Sequence, residues 1–222
     1  MAASAPAARA LRTAGWVAAA ASACFALLAL WVVLAPDGLL PGDAATHRAA
    51  VTDRSAAALA AARAVTSTGS GPLPYALVVA AGLYAGRTGR RRLTLTAALV
   101  LCLGAGQALR YAVMTLIARP RPPLSDWATH ALGCSFPSGH ATVGALTAGL
   151  LITALLTREP PPPRIALLAA LIAVWGAAVG LTRVYLGVHW YTDVLGGWLF
   201  ATAWLALCVC GCLWGRTRRT AP

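Results

Sequence analysis

Residues 133–157, GCSFPSGHATVGALTAGLLITALLT, join a Pro-Ser-Gly-His turn to an apolar run. The run 139–157 approaches the roughly 20 residues that a helix needs to cross a bilayer. Working outward, five further apolar windows occur at about 14–35, 74–87, 93–117, 164–182 and 192–214, the second of them short. The composition agrees. Of 222 residues 59% are hydrophobic and 11% charged, and the mean hydropathy is +0.70, whereas soluble domains carry about 25% charged residues. The chain is therefore expected to be all-α: an integral membrane bundle of about six transmembrane helices, with 1–222 forming a single domain.

The net charge of +12 rests on 18 arginines, because the sequence has no lysine. Abundant Ala and Arg beside that lack read as codon bias. A strongly basic chain raises the possibility of nucleic-acid binding. Here, however, the arginines sit mostly in short connections between apolar windows, where the cytoplasmic-side bias of basic residues accounts for them. No nucleic-acid partner is expected. The basic connections alternate along the chain: the amino terminus, 86–92 (GRTGRRR), 157–164 (TREPPPPR) and the tail RTRRTAP. Six helices with both termini cytoplasmic satisfy all four. That arrangement puts 36–73, 118–138 and 183–191 on the extracytoplasmic side of a multi-pass protein of the cell membrane, expected to be a bacterial plasma membrane.

Smaller features follow the same frame. The first window is longer than a typical signal-peptide apolar region and ends at Pro36, so it reads as a retained anchor helix. An alanine-rich stretch within 36–73 suggests a short interfacial helix. The prolines of 157–164 favour a stiff extended spacer. Ala145 and Gly149, four apart, allow close helix packing. Five of six cysteines fall inside apolar windows and behave as small hydrophobes. Cys208, Cys210 and Cys212 point about 200° apart in succession on a helix and cannot converge on one metal ion.

Three clusters carry chemistry, all on the same side: ARPRPP with Arg119 and Arg121, FPSGH with Ser138, Gly139 and His140, and TRVYLGVHWYTDV with Arg183, His189 and Asp193. Singly, each has a plain structural reading as interfacial arginines, a helix cap or local helix support. Jointly they put two of the chain's four histidines beside ionisable groups at membrane depth, where charge is costly and usually functional. A helix starting at Ser138–His140 offers free amides to an anion, and glycine permits close approach. Arg121 and Arg183 add planar forks suited to phosphate oxygens. Asp193, four residues after His189, can fix the imidazole tautomer and strengthen its other nitrogen as a nucleophile. His140, on the anion site itself, is placed to protonate a leaving oxygen.

At these residues the sequence resembles the type 2 phosphatidic acid phosphatase and vanadium haloperoxidase superfamily. That family's signature is Lys-x6-Arg-Pro, then Pro-Ser-Gly-His, then Ser-Arg-x5-His-x3-Asp. Here Arg121-Pro122 ends the first part, Pro137–His140 is the second, and Thr182-Arg183-x5-His189-x3-Asp193 is the third. The resemblance covers roughly 110–197, and the layout is similar to the membrane lipid phosphatase branch. It implies His189 as the nucleophile forming a phosphohistidine, Asp193 as its orienting carboxylate and His140 as acid and then base. It implies Arg121, Ser138, Gly139 and Arg183 as phosphoryl ligands, and no metal or other cofactor. The implied substrate is a lipid phosphate or polyprenyl pyrophosphate.

The sequence departs from the signature twice. Thr182 stands where the family has serine, keeping the hydroxyl, and Met114 stands at the lysine position. Arg119, nearby, and Arg110, one turn before Met114, are the stand-ins for the missing cation. Arg110 is expected to be the weaker, because helical side chains tilt toward the amino terminus, here away from the site. A lipid-phosphate binding or transport protein with a weakened site is the alternative reading. A vanadium haloperoxidase is a remoter one, because those relatives are soluble.

Overall fold

Each apolar window becomes a helix, and the long connection adds two more. The structure is a computed structural model that describes residues 5–158 and 164–219, and all eight α-helices below belong to those residues. In chain order they are α1 (Ala5–Leu34), α2 (Asp43–Val51), α3 (Ala56–Ser67), α4 (Leu73–Ala85), α5 (Gly89–Ile117), α6 (Gly139–Thr157), α7 (Ile165–Tyr185) and α8 (Tyr191–Arg219). The proline spacer at 160–163 and the last three residues of the basic tail lie outside the described residues.

Five helices, α1 and α5 to α8, are long and apolar enough to cross a membrane. The remaining window, 74–87, becomes α4, whose 13 residues reach only about 20 Å at 1.5 Å per residue. That is short of a hydrocarbon core about 30 Å thick. The outward faces are those of a lipid-exposed protein: Leu27, Leu171 and Val174 are exposed on α1 and α7, which water would penalise. The 36–73 connection holds α2 and α3, where one short helix was expected.

The ends of these helices follow their sequences. Ser55, Thr88 and Ser138 cap α3, α5 and α6, each accepting a hydrogen bond from the amide three residues on, which satisfies an otherwise orphaned donor. Ala118 ends α5 in the left-handed region at φ 52°, its amide donating to the Met114 carbonyl, and Pro120 prevents the helix from resuming.

Small residues set the packing. Gly144 of α6 and Gly176 of α7 meet backbone to backbone: a Cβ on Gly176 would lie 2.8 Å from Ala148 Cβ and 3.0 Å from the Gly144 carbonyl oxygen. Gly149, one turn on, turns instead toward Leu205 of α8. Val78, Leu103, Val143, Leu146, Leu150 and Ala201 fill the centre between α4, α5, α6 and α8. This apolar pillar joins α4, α5, α6 and α8, and the glycine contact adds α7. The C-terminal part of α5, the start of α6, the end of α7 and the start of α8 meet at one end of the bundle.

Candidate active site

At that end lies a cavity of about 470 Å³ whose lining includes Arg110, Arg121, Gly139, His140, Arg183 and His189. Four turns or helix ends converge there. The link from α7 to α8 is held tight: Leu186, Gly187 and Val188 donate backbone hydrogen bonds to Thr182, Val184 and Arg183. Gly187 has φ +75°, and a Cβ there would fall 2.3 Å from the Asp126 carbonyl oxygen, so only glycine fits. This link puts Arg183, on the last turn of α7, and His189, just before α8, onto one cavity.

Asp193 is fixed by the start of α8. Its Oδ2 accepts from the Trp190 amide at 2.9 Å and from His189 Nδ1 at 3.2 Å, as an acidic residue in the first turn of a helix does when it reaches back to the amide before it. The other ring nitrogen, His189 Nε2, lies 2.9 Å from Arg121 Nη1. A guanidinium can only donate, so Nε2 is the acceptor and Nδ1 carries the proton that Asp193 receives. The tautomer follows from geometry: a lone pair on Nε2, held at the cavity. His189 is 2% exposed. Burial pulls its pKa down from 6.5 to about 4, against the hydrogen bond and charge of Asp193, which pull it up. The imidazole is neutral at physiological pH.

The cavity's cations meet no acid on its walls: among the described residues, no Asp or Glu lines it. Arg121 is braced by the carbonyls of Leu132, Gly133, Cys134 and Val188, at 2.7 to 3.0 Å. Burial pushes its pKa below the ordinary arginine value. Arg183 donates from Nη1 to Thr66 Oγ1 at 3.2 Å, while its buried Nε has no partner. Gly139 opens α6 onto the cavity and His140 follows it. Ser138 is fully buried behind them: its amide donates to the Asp193 carbonyl, and its hydroxyl accepts from the Ala141 amide at 3.4 Å. It is a cap and a tie to α8, away from the cavity lining.

Arg119 and Thr182 do not line the cavity either. Thr182 Oγ1 donates to the Val179 carbonyl of its own helix at 2.7 Å. Arg119 turns to the rear of Asp193, donating to Asp193 Oδ1 and, at 2.6 Å, to Asp43 Oδ2. Two fully buried carboxylates would be expensive without a cation, and they capture this one. Arg110, expected to be the weaker stand-in, is the one on the cavity. The cavity is not confined to the end of α5 but runs down it past Met114 to Gln107. The Arg110 side chain lies along that wall, its Nη1 3.2 Å from Met114 Sδ.

The connection 36–73, expected to be an extracytoplasmic connection with a short interfacial helix, supplies much of the scaffold. Asp43 of α2 binds Arg119 and also accepts from the amide and hydroxyl of Thr192. His47 donates to Asp126 at 2.9 Å, and this hydrogen bond holds the Asp126 carboxyl below its usual pKa. Arg54 and Arg63 donate to the carbonyls of Asp126 and Ala128, pinning the 118–138 connection. Gly69, Ser70 and Gly71 form one wall of the cavity. The one sequence signal for these contacts is the mixed charge of this segment, which does not say which partner each residue meets.

Comparison with known proteins fits this geometry. Over 129 residues the chain is 34% identical to the phosphatidylglycerophosphatase B of Bacillus subtilis (strain 168), a stretch covering 56% of this chain and 60% of that one. It is 31% identical over 130 residues to an undecaprenyl-diphosphatase of Sulfolobus acidocaldarius, covering 54% of each. The chain thus spans little more than half the length of these curated relatives. The fold matches the crystal structure of a transmembrane PAP2 type phosphatidylglycerolphosphate phosphatase from Bacillus subtilis with a TM-score of 0.75 and 25% identity, over 93% of this chain and 98% of that one. The PAP2 superfamily model matches residues 95–216, a stretch that contains His140, His189, Asp193 and all the cavity arginines, and the chain belongs to the PAP2 superfamily.

Proposed function

We propose that the chain is a membrane phosphatase that hydrolyses a lipid phosphate or polyprenyl pyrophosphate through a phosphohistidine on His189. The observation that carries this is the lone pair of His189 Nε2, backed by Asp193 and facing a cavity lined with arginines and no acid. The names of the relatives, a phosphatidylglycerophosphatase and an undecaprenyl-diphosphatase, support the same chemistry and substrate class.

In the first step Nε2 attacks phosphorus and the bond to the leaving oxygen breaks. Arg121 Nη1 passes its hydrogen bond from Nε2 to a phosphoryl oxygen as the N–P bond forms. Arg183 and the amide of Gly139 hold the remaining charge, as preorganised donors do for a developing oxyanion. Asp193 stabilises the positive ring through Nδ1–H. His140 gives a proton to the leaving oxygen. In the second step His140 takes a proton from water, the oxygen attacks phosphorus and the N–P bond breaks. Inorganic phosphate leaves and Nε2 regains its lone pair.

The site acts at the extracytoplasmic surface. Arg87 and Arg90–Arg92 lie at the end of α5 opposite the cavity, and basic residues favour the cytoplasmic side. A cavity at the outer bilayer face takes the substrate's head while its tail stays in lipid. Phosphate release from purified protein, with a panel of phosphatidic acid, phosphatidylglycerol phosphate and polyprenyl pyrophosphate, tests the reading. Turnover that disappears in His189→Ala and is inhibited by vanadate is expected. Turnover retained in that variant contradicts the mechanism, and binding without turnover in the wild type leaves a lipid-phosphate binding or transport protein.

A further inference from the structure

Arg110 belongs to none of the motif positions that the reaction uses, yet its placement is hard to explain without a ligand. It lies within a membrane-spanning helix, is 8% exposed and lines the same cavity as His140 and His189. Its hydrogen bonds stay on its own helix: Nε donates to Gln107 Oε1 at 3.2 Å and Nη1 to Met114 Sδ at 3.2 Å. Neither partner carries charge, and among the described residues no carboxylate pairs with it. Nor does it tie α5 to another helix. Its Cζ lies 5.7 Å from the centre of the Tyr111 ring, but a buried cation facing two more cations, with no acid in reach, remains costly.

What sits beside Arg110 indicates what relieves that cost. A Cβ built on Gly139 would lie 3.5 Å from Arg110 Cζ and Nη1, so the guanidinium borders the amino terminus of α6. Free first-turn amides there attract an anion. We propose that Arg110 is a phosphoryl-oxygen-binding residue, reaching along α5 so that its guanidinium occupies the space beside Met114. The inference rests on the phosphoryl-transfer reading above. It adds the cation that completes the cavity, contributed from deeper in the bilayer than Arg121. It also explains how Met114 is tolerated: its thioether lies against the guanidinium, where a second cation would be repelled.

The test uses the full-length protein in detergent with Arg110→Gln, and with Arg110→Gln combined with Met114→Lys, which returns a cation to the same wall. Inorganic phosphate and vanadate binding are followed by ligand-induced thermal shift, separately from kcat/KM on a lipid phosphate. Arg110→Gln is expected to weaken anion binding and lower kcat/KM by about 100-fold, the scale for losing one positioned donor. The double variant should regain at least about tenfold of each. The ligand-free melting temperature of Arg110→Gln should equal or exceed that of the wild type. Wild-type anion affinity in Arg110→Gln overturns the proposal, as does a lower ligand-free melting temperature that the lysine does not restore. If the wild type binds phosphate but hydrolyses no phosphoester, the phosphatase reading fails while the binding arm still decides the role of Arg110.

Discussion

Behind His189, Arg119 lies between Asp43 and Asp193, one guanidinium shared by two carboxylates, with all three side chains fully buried. In front of it, Arg110, Arg121 and Arg183 line a cavity with no carboxylate among the described residues. Arg119 and Arg121 are two residues apart in the chain, and residue type alone does not separate them. The difference is charge balance. A buried cation with its acids in place is part of the fold, and breaking such a pair strands a charge. A buried cation without acids holds stored repulsion, which an arriving anion removes. On this comparison, mutations behind His189 should chiefly lower stability, and mutations in front should chiefly lower anion affinity and turnover.

The harshest way to break the comparison is at the residue shared by both sides. Asp193→Asn turns one of two accepting oxygens into a donor, so His189 Nδ1 or Arg119 loses its acceptor, and it removes one of the two acids of Arg119. Turnover should fall by about 10⁴-fold, the scale for loss of a tautomer-fixing carboxylate, and the melting temperature should also fall. Arg183→Met tests the front alone. It should lower kcat/KM by about 10²- to 10³-fold and reduce the thermal shift given by phosphate. The ligand-free melting temperature should hold or rise, because an unpaired buried cation is gone. Asp43→Asn tests the rear alone. It should destabilise the protein by about 3 kcal/mol in chemical denaturation. Its phosphate affinity should change far less than that of Arg183→Met.

The smallest effect at neutral pH is the titration of His189. Its folded pKa of about 4 lies below the ordinary 6.5. Between those values the unfolded chain binds a proton that the folded one refuses, so this group's contribution to stability is full above about 6.5 and is lost as pH falls toward 4. NMR of ¹⁵N-histidine-labelled protein, with His189→Asn to assign the signal, should show an imidazole titrating near 4. A value near 6.5 would mean that the site is wetter than its burial indicates.

How much of this was legible in the sequence depends on the distance between partners. The apolar windows and the spacing from Arg183 to His189 to Asp193 are local, and the helices and the His189–Asp193 contact followed them. The scaffold is not local. Asp43 meets Thr192 across 149 positions and Arg119 across 76, and nothing periodic records such pairings. Arg110 fell between these cases. The rule that helical side chains tilt toward the amino terminus is sound, but it turns Arg110 away only from a site at the tip of α5. The cavity descends along the helix, and a long side chain can turn back up its wall to Met114. Ser138 shows the converse: its position in the motif was plain, and its burial behind the cavity was not.

The central claim is that the lone pair of His189 Nε2 attacks phosphorus. The most direct measurement is a base quench, in the steady state, of purified protein turning over a ³²P-labelled lipid phosphate, followed by peptide mapping. The account predicts acid-labile, base-stable label on His189 in the wild type and none in His189→Ala. Continued turnover with no labelled histidine, or label on another residue, would contradict it.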